Sequence, residues 1–327
     1  MVLLDPAEES DEIDDGSGLN PAQRDLLAAL GARPDERPAF DPRIGPELRA
    51  GLEERLGPAV ARLPDGETLF ISKHAMSSVL GCEGKYLAEE QQGFTWTVPT
   101  ATGSVAHKAI ELSVHWRGDP APGLLVDEAM AALIDSERNL APFLGQLSEA
   151  ERAELRSRAT ERVTMFAECF PPLEARWRPV TEARLRADLC GDRVALSGKV
   201  DLTVGRAEGV RAGKVLLDMK TGRFAGSHQD DLRFYALLET LRLGTPPRAL
   251  ASYYLDAGRL QVELVTENLL VAAAERVIGA ANAIVDLRTS EHEPVLKPGP
   301  PCNWCPALPT CPTGRTHLDE RLDQEGW

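Results

Sequence analysis

The run KVLLDMKTGRF ends an apolar stretch in Asp218 and Lys220, two residues apart, with a glycine turn directly behind them. Side chains of an extended chain alternate between faces, so Asp218 and Lys220 share one face and Leu217 and Met219 the other. The preceding run RVALSGKVDLTV also alternates. Val194, Leu196, Val200, Leu202 and Val204 form its apolar face, and Lys199, Asp201 and Thr203 its polar face. If the two runs pair as a hairpin, Asp201 and Asp218 converge. Two carboxylates with room for water suit Mg²⁺, which keeps several waters and prefers oxygen ligands. A lysine beside them supplies a compact charge that can orient water or meet phosphate charge. That chemistry is phosphodiester hydrolysis by metal-activated water. Glu182, on an earlier alternating run at the parity of Arg184 and Arg186, is a further candidate for the same face. A polar strand end in a solvated sheet would give the same short Asp-x-Lys pattern.

A second constellation is PCNWCPALPTCP, which spaces Cys302, Cys305 and Cys311 within ten residues. Thiols this close in a proline-containing loop suit tetrahedral zinc or an iron–sulfur cluster, and both require a fourth ligand. Trp304, between two of the cysteines, is expected to shield such a centre. Cys169 and Cys190 have no partner pattern and read as core residues. His107, Glu111 and His115 recur every fourth residue and imitate a zinc helix, but lack a matching fourth ligand.

These residues need a folded scaffold to hold them. A chain of 327 residues with 43% hydrophobic content can bury a substantial core. Its net charge of −15 argues against nucleic acid until the segment Asp5–Asp15 is set aside. Its seven acids, without Lys or Arg, leave −8 for the rest. Binding responds to local patches, so a DNA partner stays open. The N-terminus lacks the apolar run of a signal peptide, and Leu269 to Val285 is interrupted by Glu275 and Arg276. A soluble, cytoplasmic protein with no membrane association is expected. Neither GxxxxGK[ST] nor GxGxxG is present, so nucleotide-driven chemistry has no support.

Residues 1–18 read as an acidic disordered tail. Residues 19–66 read as a helical N-terminal extension, with Asn20 capping a helix that stops at Gly31 and a second helix over 46–63. Ser72 caps a helix ending at Cys82, Thr102 is expected to cap a longer one containing His107, and helices follow over 124–138 and 148–168. Strands are expected over 177–189, 193–204 and through VLLDMK, then a helix over 228–242, strands ASYYLD and LQVELV, and a helix over 267–287. The order predicts an α/β domain with a mixed sheet flanked by helices.

The ordered set GSVAH (103–107), GKVD (198–201), DMK (218–220) and DLRFYA (231–236) resembles the PD-(D/E)XK nucleases of the RecB type. ISKHAMSSVLGCEGKYL resembles the segment that opens the iron–sulfur members of that group, whose relatives include the AddB nuclease domain and CRISPR adaptation nucleases. The resemblance implies a restriction-endonuclease-like core over 67–327, with a helical insertion at about 120–170 and an iron–sulfur loop at 299–313. It implies His107, Asp201 and Asp218 as ligands of Mg²⁺ or Mn²⁺, with the Met219 carbonyl available, and Lys220 as the catalytic lysine. Tyr235 matches the tyrosine of a Gln-x-x-x-Tyr helix motif, but Asp231 stands at the glutamine position, with Gln229 two residues earlier as a substitute. Cys82, Cys302, Cys305 and Cys311 would hold a [4Fe–4S] cluster, with Zn²⁺ as the competing occupant.

The expectation is therefore a divalent-metal-dependent deoxyribonuclease, an exonuclease in repair, recombination or processing. The alternative is an inactive DNA-binding or scaffold module that keeps the fold and the cysteines. No helicase motif is present, so a helicase or recombination partner would be a separate polypeptide.

Overall fold

The computed structural model describes residues 18–137, 139–222, 224, 226–290 and 292–325. The acidic tail expected at 1–18 lies, Gly18 apart, outside them. The chain begins with helix α1 (Pro21–Leu30), capped by Asn20 and opened by Pro21, and α2 (Ile44–Val60). A short strand β1 (Leu69–Ser72) leads into α3 (Lys73–Gly81), whose cap is Ser72 and whose C-cap is Cys82. Helices α4 (Glu83–Gln92), α5 (Val98–His115), α6 (Pro122–Ser136), α7 (Leu140–Gln146) and α8 (Glu149–Cys169) follow. Strands β2 (Val180–Leu189), β3 (Val194–Val204) and β4 (Val215–Lys220) precede α9 (Ser227–Leu243). Strands β5 (Ala249–Tyr254) and β6 (Arg259–Leu264), α10 (Glu267–Arg288) and α11 (Pro312–Glu325) complete it.

The six strands form one mixed sheet in the order β1-β3-β4-β5-β6, with β2 also on β3. Helices cover both faces. One core is built by α2, α3, α9 and α10 against residues such as Leu196 and Leu216. The other is built by α5, α6 and α8 against Leu202, Leu217 and Met219, and α1 adds Leu26 to it. Residues of the expected insertion, including Val126, Leu140 and Leu155, are thus part of a main core. Among the described residues α10 alone is long and apolar enough to span a membrane. Its Leu270, Val277, Ile284 and Val285 are fully buried in the first core.

The position of the site follows from how β3 divides its edges. One edge pairs with β2 along most of its length, antiparallel. The other edge is shared. Parallel β1 takes Val194 to Ser197, and antiparallel β4 takes Leu202 to Val204. Between these two partners, residues 198–201 have, among the described residues, no strand on that edge. Because β1 runs with β3 and β4 runs against it, the C-terminal ends of both point into this gap. The GKVD segment therefore lies where β1 delivers Lys73 and β4 delivers Asp218 and Lys220.

Three expectations change. Thr97, not Thr102, caps α5, through a capping box with Thr100 and with Pro99 in the first turn. Thr102 lies inside the helix and returns its hydroxyl to the Val98 carbonyl at 2.7 Å. The five apolar residues of β3 also do not share one face. Val194, Leu196 and Val200 enter the first core, whereas Leu202 and Val204 pack against the second. The change falls at Asp201. Opposite it on β2, Glu182 adopts a left-handed φ of 52° and drops out of the ladder, a conformation uncommon for a non-glycine residue. Finally, Trp304 is 78% exposed and shields nothing.

Candidate active site

Antiparallel pairing of β3 and β4 stops at Leu202–Leu217, so Asp201 and Asp218 occupy what would be the next rung. The ladder ends there because Asp201 replaces it: its Oδ2 accepts the Met219 N–H at 2.7 Å. Both carboxylates are nearly inaccessible, at 8% and 2% exposure. Buried charge requires partners, and the surrounding helices and β4 supply them.

From α5, His107 brings Nδ1 to 3.5 Å from Asp201 Oδ1. Burial opposes the charge on His107, but Asp201 outweighs it and raises the imidazole pKa, with Asp218 and Glu182 adding to the effect. Burial likewise opposes ionisation of Asp201. His107 and the Met219 N–H overcome it and hold the carboxyl below its usual range. From β4, Lys220 Nζ lies 2.6 Å from Asp218 Oδ2 and 3.2 Å from Asp231 Oδ2. From α3, Lys73 Nζ lies 3.3 Å from Asp218 Oδ1 and 3.6 Å from Asp231 Oδ2. Burial would depress the Lys73 pKa, but Asp218, Tyr235 and Asp231 raise it well above the ordinary value.

Tyr235, from α9, presents its ring to Lys73 at 5.3 Å, a cation–π contact. Burial pushes its hydroxyl pKa up to about 12. The ring fits because residue 198 is glycine: a Cβ there would stand 2.3 Å from Tyr235 Cε1. Gly103 serves in a similar way, since its Cβ would be 3.2 Å from the Thr221 hydroxyl, next to Lys220. Two motif glycines thus have steric reasons.

The structure therefore gathers His107, Asp201, Asp218, Lys220 and Tyr235 at the gap. Asp231, at the position of the expected glutamine, faces the two lysines. Gln229 instead lines a small cleft with Ser252 and Gln261. Glu182 stands opposite Asp201 and forms an ion pair with Lys199. The imitated zinc helix dissolves into separate contacts: Glu111 pairs with Lys108 and His115 meets Thr181. Two nearby residues escaped the sequence reading. One is Lys73. The other is His228, whose Nδ1 lies 3.1 Å from Tyr254 Oη. Burial and the Lys220 charge lower the His228 pKa.

Two carboxylates and an imidazole, with the Met219 carbonyl on the same strand end, are the donor types a hard divalent ion takes. Among the described residues, no three His, Cys, Asp or Glu side chains stand in ready-made metal-holding geometry. At Asp218 each oxygen already faces an ammonium.

Away from the gap, Cys82, Cys302, Cys305 and Cys311 line one cavity of about 680 Å³. Gly299 and Gly314 donate backbone N–H groups to Cys302 Sγ at 3.4 Å and Cys311 Sγ at 3.3 Å. Burial raises the Cys305 thiol pKa, partly offset by the Ala307 N–H, and Cys82 and Cys302 add to the rise. The thiols are free and half-buried. Their number and the N–H groups aimed at sulfur fit a thiolate-held centre in chemical type. The walls are joined independently of the thiols: Glu83 accepts from the Val295 N–H and meets His292, both at 2.8 Å, and Lys297 reaches the Leu80 carbonyl.

A family model for the PD-(D/E)XK nuclease superfamily matches residues 71–312. The chain belongs to that superfamily, and its mixed sheet flanked by helices is the restriction-endonuclease-like core. It is similar to the crystal structure of a "Putative exonuclease" from Eubacterium rectale, at 14% identity and a TM-score of 0.46, over 76% of this chain and 87% of that one. It is also similar to the structure of SSO0001, at 13% identity and a TM-score of 0.30, over 80% of this chain and 94% of that one. No curated protein matches.

Proposed function

We propose that this nuclease is a divalent-metal-dependent deoxyribonuclease, acting as an exonuclease in DNA repair, recombination or processing, and working in the cytoplasm, where a separate helicase or recombination protein would supply any motor. The observation that supports this most is the gap on β3, where a helix histidine, two strand carboxylates and a lysine meet. A decayed scaffold would have lost the reason to keep all four together.

Mg²⁺ or Mn²⁺ held by Asp201, Asp218 and His107, with the Met219 carbonyl available, would polarise a phosphoryl oxygen and lower the pKa of a bound water. Lys220 is the group that meets the phosphate: its ammonium stands 2.6 Å from Asp218 and carries three donors for water or phosphoryl oxygen. Asp231 fixes that ammonium from the far side. Tyr235, with its high pKa, remains a neutral phenol that braces the α9 side. His107 keeps Asp201 aligned through Nδ1.

At the second site, Cys82, Cys302, Cys305 and Cys311 are the proposed holders of a [4Fe–4S] cluster, whose first contribution is to clip the C-terminal segment to the end of α3. Anaerobically purified protein should be brown, and Cys305→Ser should bleach it. Colourless protein with stoichiometric zinc overturns the iron assignment and leaves the nuclease untouched. The deciding test of function is cleavage of end-labelled linear and circular DNA, single- and double-stranded, with Mg²⁺ or Mn²⁺. Cleavage of linear but not circular DNA supports an exonuclease. No cleavage of any substrate by folded, metal-loaded protein favours the scaffold.

A further inference from the structure

Lys73 raises a question that the proposed reaction does not absorb. Asp218 has two oxygens, and each has its own ammonium: Oδ2 has Lys220 at 2.6 Å and Oδ1 has Lys73 at 3.3 Å. Asp231 touches both lysines, so two carboxylates and two ammoniums already balance one another. A divalent ion that uses Asp218 therefore enters a neutral cluster and must take an oxygen from one of them. The two lysines differ. Lys220 has the shorter contact and a side chain 14% exposed, on a strand paired with β5. Lys73 has the longer contact and a side chain 32% exposed, at the first residue of a helix. A long flexible stem lets such an ammonium move toward water while its methylenes stay packed. The face of Tyr235, which Gly198 admits, gives Lys73 a resting surface besides Asp218.

We propose that Lys73 competes with the divalent ion for Asp218 and thereby sets the ion's affinity, and hence the ion concentration at which the nuclease becomes competent. The inference rests on the ligand assignment above, and the experiment separates the two. Mn²⁺ binding to the full chain is followed by electron paramagnetic resonance, without DNA. Lys73→Met and Lys73→Gln should each bind Mn²⁺ roughly tenfold more tightly, on the order expected when one like charge leaves a partly solvated site. Lys73→Arg, which keeps the charge, should bind close to wild type. The glutamine variant carries the test if the methionine variant does not fold, as judged by circular dichroism. Neutral variants that bind Mn²⁺ equally or more weakly overturn the competition. Asp218→Ala is the control. If it loses Mn²⁺ binding while the Lys73 variants match wild type, only this inference fails. If it binds as wild type does, the ligand assignment itself fails.

Discussion

The two constellations are built from different materials. The carboxylate–lysine site is carried by strand ends and helices, its carboxylates are almost fully buried, and each charge has a partner already in place. The cysteine cavity is carried by a helix C-cap and short 3₁₀ turns, its thiols are half-buried, and backbone N–H groups face the sulfurs of Cys302 and Cys311. The first arrangement is preorganised by the fold. The second has its four thiols spread around one cavity. The two regions therefore stand to lose different things. Removal of a group from the first should damage chemistry more than stability, and the second should behave the opposite way.

The sharpest way to break this contrast is at β4. Asp218→Ala and Lys220→Ala should each reduce metal-dependent cleavage roughly a thousandfold or more, the scale of losing a key electrostatic group, while circular dichroism stays native. Cleavage within a few-fold of wild type in either variant would refute the site. Next comes the cysteine cavity. Cys305→Ser should lower stability by about 3 kcal/mol, the mass-action loss of a tightly held ligand. Denaturant unfolding reads this, and cleavage per folded molecule should be retained. Loss of activity without loss of stability would reverse the comparison. A smaller effect is expected at Gly198. Gly198→Ala forces a Cβ against Tyr235, and overpacking of this kind costs about 1–3 kcal/mol. The paired variant Gly198→Ala/Tyr235→Leu should recover part of that stability. No recovery would show that the glycine is not there for the ring.

The smallest effect concerns pH in chelator-treated protein. The His107 pKa is raised above 6.5, so its contribution to stability is complete below 6.5 and fades as pH rises through the folded value. The Asp201 pKa is lowered below 3.8, so its contribution is complete above 3.8 and fades as pH falls through the folded value. The pair should therefore stabilise most between 3.8 and 6.5. His107→Gln should remove the alkaline decline, as read from Tm against pH. An unchanged profile would mean that the pair is not coupled to folding.

Much of this was legible in sequence because it depends on local pattern. Alternation located β2 and β3, capping residues located α1 and α3, and two-residue spacing placed Asp218 and Lys220 on one side. What stayed hidden depends on distant pairing. Strand β1 is four residues long, too short for its period to stand out, yet its parallel pairing with β3 carries Lys73 to a carboxylate 145 positions away. The aspartate at 231 looked like a defect in a glutamine motif. Beside two ammoniums, a carboxylate there has an electrostatic reason that no local window contains. The change of face within β3 was equally hidden, because it falls opposite Glu182, a left-handed residue on another strand. Thr102 misled because a threonine before a glycine looks like a cap, while the helix had already begun at Val98.

Helix α3 has one end in each region: its first residue is Lys73 and its C-cap is Cys82. Nine residues at about 1.5 Å each span roughly 13 Å, and a rod that short does not bend appreciably. One short segment thus joins the two regions, so a substitution that unwinds it, unlike one at a single thiol or carboxylate, would disturb both at once.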